Sequence, residues 1–119
     1  PYIDLTLHIM EVFELPLPKN KNYQSFVFEP VQSIINSNTI TYEVEGDWSS
    51  AAFLLVAGAI NGNLTVKGLD VFSTQADKAI LQALMDSGCR LSIQADQIEV
   101  SALPLKAFHF NATDCHDLF

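Results

Sequence analysis

The span Glu45–Gly62 reads EGDWSSAAFLLVAGAING, and its middle constrains the fold more than any other part of the chain. Residues Ala51 to Ile60 follow a helix-forming turn and carry almost no polar side chain on any side. A helix that is apolar all round is expected to lie buried between layers, since exposed apolar surface costs about 25 cal/mol per Å². The run is too short to cross a bilayer, which takes about 20 apolar residues, and Gly58 interrupts it. Asp47 suits the N-cap, because its carboxylate can accept from the backbone N–H of Ser49 or Ser50, and Asn61-Gly62 suits the end. Serines and free N–H groups at a helix N-terminus also attract phosphate. Asp47 would repel an anion, so capping and close packing are the favoured roles of Asp47, Ser49 and Ser50.

The flanking segments supply candidates for the layers. Ile3, Leu7, Met10 and Phe13 fall at helical spacing and predict a helix over about residues 2–14, with Pro1 in its first turn and Asp4 at the positive end of the dipole. Leu15-Pro16-Leu17-Pro18 stops it. Asn20 and Asn22 read as a polar turn, and Tyr23 to Glu29 as a strand. Thr39 to Glu45 (TITYEVE) is β-branched and alternating, a second predicted strand. Leu64 to Lys67 predicts another, and Ser73 or Thr74 caps a further helix to about Ser87 with Ala76, Ile80, Leu84 and Met85 inward. Arg90 to Gln94 and Gln97 to Val100 form a predicted hairpin with its turn at Ala95-Asp96. Lys106 to Phe110 has strand character. Residues 39–101 thus read β-α-β-α-β-β, and residues 1–29 read as the trailing part of a similar unit.

Composition narrows the function. A chain of 119 residues suits one domain with its own core. Fourteen acids against six bases leave a net charge of −8 and no basic cluster, which argues against nucleic acid and anionic membranes as partners. The same balance is poorly suited to a complete phosphate site. No basic segment leads into an apolar signal-type core, so a cytoplasmic location is expected and the sequons at Asn63 and Asn111 carry no meaning. Cys89 and Cys115 are expected to be free thiols.

Four blocks then carry a resemblance: Pro1-Tyr2-Ile3-Asp4-Leu5-Thr6-Leu7, Tyr42 to Phe53 (YEVEGDWSSAAF), Thr74-Gln75-Ala76-Asp77, and Asp114-Cys115-His116-Asp117-Leu118-Phe119. In this order and spacing the chain resembles the 5-enolpyruvylshikimate-3-phosphate synthase family, with the Gly-Asp-x-Ser-Ser-Ala block the most specific. The resemblance implies an inside-out α/β (α+β) fold built from βαβαββ units. On that pattern the chain is an internal fragment of about one and a half units. Residues 1–38 would be the trailing helix and strand of one unit, 39–105 a complete unit, and 106–119 the start of the next.

The resemblance also implies an activity for the parent protein, a carboxyvinyl transferase moving the enolpyruvyl group of phosphoenolpyruvate to the 5-hydroxyl of shikimate 3-phosphate without metal or other cofactor. Asp117 matches the family's proton-accepting aspartate, the catalytic residue, since the attacking 5-hydroxyl must lose its proton. Tyr2 matches a substrate-binding tyrosine set against the shikimate ring and its phosphate. The family's Lys-Ser, Asn-Ala-Gly-Thr and Arg-x-Lys-Glu blocks, which supply most of its cations, have no counterpart here. The chain alone is therefore expected to be inactive and, with apolar faces uncovered, to self-associate. His116 and Trp48 depart from the proline and the smaller residue common in the family. Asp114 to Asp117 look like metal ligands in a row, but consecutive residues cannot converge on one ion. The alternatives are a fragment similar to UDP-N-acetylglucosamine enolpyruvyl transferase, or a non-catalytic module of the same fold.

Overall fold

Two helical segments with opposite surroundings anchor the architecture. The computed structural model describes residues 2–30 and 39–118. Pro1, expected in the first helical turn, and Phe119, which closes the last sequence block, lie outside the described residues, as does the stretch 31–38. The chain divides into two compact units, residues 2–43 and residues from Val44 onward.

In the first unit, helix α1 (Tyr2–Val12) stops close to the expected place, and the chain turns through Glu14 at φ 53° before the two prolines. A two-stranded antiparallel hairpin follows, β1 (Lys19–Lys21) and β2 (Ser25–Val27), paired Lys19 to Val27 and Lys21 to Ser25. The sequence pattern predicts a polar turn at Asn20 and Asn22 and a strand from Tyr23, whereas the structure has β1 in place of that turn and begins β2 at Ser25. Lys-Asn-Lys has no strand propensity, and only the ladder to β2 makes it one. The turn between the two strands is Asn22, Tyr23 and Gln24, with φ of 52° and 59° at the first two and the Gln24 N–H donating to Lys21 O at 3.0 Å. Asn20 Oδ1 accepts from the Tyr23 N–H at 2.8 Å, and the Tyr23 phenol donates to Asp4 Oδ1 on α1 at 2.6 Å. That hydrogen bond, more than the Asp4 charge, raises the Tyr23 pKa above its ordinary value. Ile3, Leu7 and Met10 of α1 face Phe26 and Phe28 across an open apolar groove of about 290 Å³. Phe13 and Tyr42 pack at a tilt, their ring centroids 5.8 Å apart.

The second unit is built on α2 (Trp48–Asn61), a helix as expected from Asp47 to Gly62. It lies on a three-stranded sheet of order β3-β5-β4, formed by β3 (Leu64–Lys67), β4 (Arg90–Ile93) and β5 (Gln97–Ser101), with both pairings antiparallel. Leu64, Val66, Leu91, Ile98 and Val100 lie toward the helix layer, while Thr65, Lys67 and Glu99 lie on the opposite, exposed face. Trp48, Leu55, Ile98 and Val100 are the largest fully buried side chains. Between β3 and β4 a 3₁₀ turn (Ala76–Ala79) runs into helix α3 (Ile80–Asp86), whose Ile80, Leu81, Ala83 and Leu84 complete the core.

Four expectations give way to packing. Helix α2 is not covered on every side: Trp48, Ala51, Ala52, Leu55 and Ala59 are buried, whereas Phe53 is 73% exposed and Ile60 62%. A single sheet with one short helix beside it shields only one flank of a cylinder. Met85 is 46% exposed rather than inward, since it stands about 100° round the helix from Leu84. Thr39 to Glu45 and Lys106 to Phe110 form no strand; alternation supplies propensity, but a strand needs a neighbouring backbone in register. Among the described residues no helix is long and apolar enough to cross a membrane.

Candidate functional site

Asp117 sits in a short 3₁₀ turn, His116–Leu118, near the end of the chain. The turn is fixed by its flanks. Cys115 is buried and Leu118 packs against the core, while His116 and Asp117 between them stay exposed. The Leu118 N–H donates to Cys115 O at 3.3 Å, and the Cys115 N–H to Ala112 O at 3.2 Å. Asp117 stands at a cavity of about 180 Å³ whose other walls are Ala52, Phe53 and Val56 of α2, Ile80 of α3, and Leu118. A carboxylate is thereby presented to solvent against an apolar wall. Asp114, Cys115, His116 and Asp117 do not converge, since Cys115 turns inward and the other three outward. Among the described residues no group of three His, Cys, Asp or Glu side chains could hold a metal ion.

The footing of this turn joins sequence blocks that lie far apart in the chain. Asp47 caps α2, accepting from the Ser49 and Ser50 N–H groups at 3.1 Å each. Bonds from the Ser50 hydroxyl and its N–H, with smaller ones from Ser49, hold the Asp47 carboxyl below its usual range. The Trp48 N–H donates to Gln75 Oε1 at 2.9 Å, and Gln75 Nε2 donates to Gly46 O at 3.0 Å. With these donors satisfied, the mouth of α2 is an architectural joint, as the sequence favoured, and not an anion site. Gly46 is required there: a Cβ on it would lie 2.4 Å from Gly68 O, and its own N–H donates to that oxygen at 3.1 Å. Trp48 is 0% exposed and its indole N–H donates to Asp70 O at 3.1 Å, so the large residue at this position fills the core.

Asp77 completes the joint. It is 3% exposed, and its Oδ2 accepts from the Ser49 hydroxyl. Its Oδ1 accepts no hydrogen bond among the described residues. Burial, and then the charges of Asp77 and Asp114, push the Cys115 thiol above its ordinary pKa. The 3₁₀ turn bearing Asp77 contacts the turn bearing Asp117, and α2 contacts both. In the sequence Asp77 reads as one acid in a helix start. The available signal was its place in a block that matches the family in register, whereas its burial is a tertiary fact.

Tyr2, the other expected site residue, opens α1 in the first unit and is 47% exposed. It and Asp117 belong to different units. Thr6 turns its hydroxyl back to Tyr2 O at 2.9 Å, one turn along the helix.

The fold and the joint together define a mixed α+β chain that presents the exposed Asp117 carboxylate on a buried polar footing. A sequence model described as EPSP synthase (3-phosphoshikimate 1-carboxyvinyltransferase) matches residues 1–119, and the chain belongs to that family. Relatives named 3-phosphoshikimate 1-carboxyvinyltransferase agree. The Clostridium novyi protein is 32% identical over 117 residues, covering 98% of this chain and 26% of its own length. The Mannheimia succiniciproducens protein is 39% identical over 99 residues, 83% of this chain and 22% of its own length. The Methanocaldococcus jannaschii protein is 33% identical over 124 residues, 99% of this chain and 27% of its own length. The chain thus spans about a quarter of the length of the curated relatives it matches.

Proposed function

We propose that this chain is part of an enzyme that transfers the enolpyruvyl group of phosphoenolpyruvate to the 5-hydroxyl of shikimate 3-phosphate. Asp117 is the proton acceptor. As the 5-oxygen bonds to the central carbon of phosphoenolpyruvate, its proton passes to a carboxylate, and the methylene carbon gains a proton. Loss of phosphate and of a methyl proton then restores the double bond. Tyr2 lies against the shikimate ring and its phosphate. The observation that carries this reading is the meeting of the Gly-Asp-x-Ser-Ser-Ala, Gln-x-Asp and Asp-Cys-x-Asp blocks beneath Asp117, in a chain matched along its whole length by the family.

The repeat-unit reading belongs to the same proposal: residues 1–38 trail one βαβαββ unit, 39–105 form the next, its first strand at Thr39–Glu45 still without a partner backbone here, and 106–119 begin a third. The exposed flank of α2 supports it, because further units would supply the layers that cover Phe53, Leu54 and Ile60. Alone, the 119 residues self-associate through such faces and turn over no substrate, and the parent works in the cytoplasm. The test is a chimera in which this chain replaces the matching quarter of the Clostridium novyi relative. Phosphate release from both substrates supports the reading, and a folded chimera without turnover overturns it. Light scattering on the isolated chain is expected to show concentration-dependent association; a monomer at millimolar concentration counts against that part.

A further inference from the structure

The joint under Asp117 contains a group that stability alone does not explain. Removing a carboxylate from water is costly unless it is paired and fully hydrogen-bonded. Asp77 is nine-tenths or more buried, yet among the described residues only one of its oxygens has a donor, the Ser49 hydroxyl. The neighbouring cation does not serve it: Lys78 Nζ donates to Ser73 O at 2.6 Å. An apolar residue of similar size would pack here at lower cost, so what the acid supplies is geometric. Its partner Ser49 lies 28 residues away in the first turn of α2, so the bond ties the mouth of that helix to the 3₁₀ turn Ala76–Ala79. The turn carrying Asp117 rests on both of these elements.

We propose that Asp77, held by Ser49, is a positioning residue for Asp117. The pair sets the seat of turn 115–118 and thereby the direction in which the Asp117 carboxylate meets a substrate hydroxyl. The inference rests on the reading of Asp117 as proton acceptor. Asp77 itself, buried beneath the turn, touches no substrate. A displaced catalytic group loses rate far more than it loses ground-state affinity, because near-attack alignment is what proximity supplies.

The test uses the chimera described above together with the 119-residue chain. In the chimera, Asp77→Ala is expected to lower kcat by about tenfold to a hundredfold while KM for both substrates stays within about twofold. Ser49→Ala is expected to produce a loss in kcat of the same kind. The double variant should be no slower than the worse single one, as for two residues acting through one bond. Asp77→Asn keeps an acceptor for the Ser49 hydroxyl and is expected to restore most of kcat. In the 119-residue chain, Ser49→Ala is expected to speed hydrogen exchange at the Leu118 and Cys115 amides, with Val100 on β5 unchanged. Unchanged kcat in both alanine variants, additive losses, a loss confined to KM, or no rescue by Asp77→Asn would each overturn the proposal. Should Asp77→Ala not fold, Ser49→Ala carries the same readouts. A wild-type chimera without turnover would remove the functional reading alone, and the exchange comparison would still decide whether the pair seats the turn.

Discussion

Gly58 on α2 approaches Val100 on β5 so closely that a Cβ on the glycine would lie 2.4 Å from Val100 Cγ1 and 2.8 Å from Leu64 Cβ. Val100 is fully buried and Leu64 Cβ is tied to its own backbone, so neither can move aside cheaply. In a solvent-facing helix, Gly→Ala would stabilise by about 1 kcal/mol. Here overpacking costs about 1–3 kcal/mol and wins. Gly58→Ala is expected to lower the unfolding free energy by up to about 2 kcal/mol in urea denaturation, the balance of these two terms. A more stable variant would show that α2 rides higher on the sheet than described.

Gln75 clamps both sides of the Gly46–Trp48 corner, and its loss leaves a backbone N–H and a C=O without their partners. Gln75→Leu is expected to cost about 2–3 kcal/mol, because two partly buried groups lose their bonds at once. Trp48 is the only tryptophan, so fluorescence reads this corner directly. The wild type should emit in the blue and resist acrylamide quenching, and the variant should lose both properties at lower urea.

Asp47 ties stability to acid. Its folded pKa lies below the ordinary value near 3.9, so the unfolded chain takes up its proton first as pH falls. The stabilisation is fully present above about pH 4 and disappears as pH drops through the folded value. Asp47→Ala should cost about 1 kcal/mol at neutral pH and flatten the acid limb of the stability profile. An unchanged acid limb would mean that the cap bonds are not maintained in solution.

Both cysteines are buried, and burial raises the pKa of each thiol. Reaction with a thiol reagent at pH 8 should therefore be slow and should follow global unfolding for Cys89 and Cys115 alike. Rapid labelling of Cys115 alone would show that turn 115–118 opens independently of the core.

His116 stands first in the 3₁₀ turn bearing Asp117, a place where proline's fixed φ is accepted. His116→Pro is expected to stabilise the chain by about 0.4–1 kcal/mol through the unfolded state. In the chimera, Asp117→Asn is expected to lower kcat by about a hundredfold to ten-thousandfold, and His116→Pro to leave it near the parent value. Turnover by the asparagine variant at the parent rate would remove Asp117 from the mechanism.

How far the sequence could be read differs from element to element. The start and end of α2, the Asp47 cap, β3, the β4–β5 hairpin and the Pro-rich stop after α1 were all legible. Each depends on local terms: a side chain reaching its own backbone, a turn-forming pair, a ring that blocks the helix. The strand at Lys19–Lys21, the missing strand at Thr39–Glu45 and the outward Met85 were not legible, because a partner backbone or a neighbouring layer decides them. The chain also carried the blocks by which it matches its family, and Asp117 among them.

What the linear order alone settled, then, is where the backbone turns into helix and which residue types stand at each corner, since those preferences act within a few residues. Only the assembled second unit decided that Gln75 clasps Gly46 and Trp48, that Asp77 lies sealed against Ser49, and that one flank of α2 remains open. Such features depend on contacts between positions some thirty residues apart, and those contacts exist only once burial of Trp48, Leu55, Ile98 and Val100 has drawn the segments together.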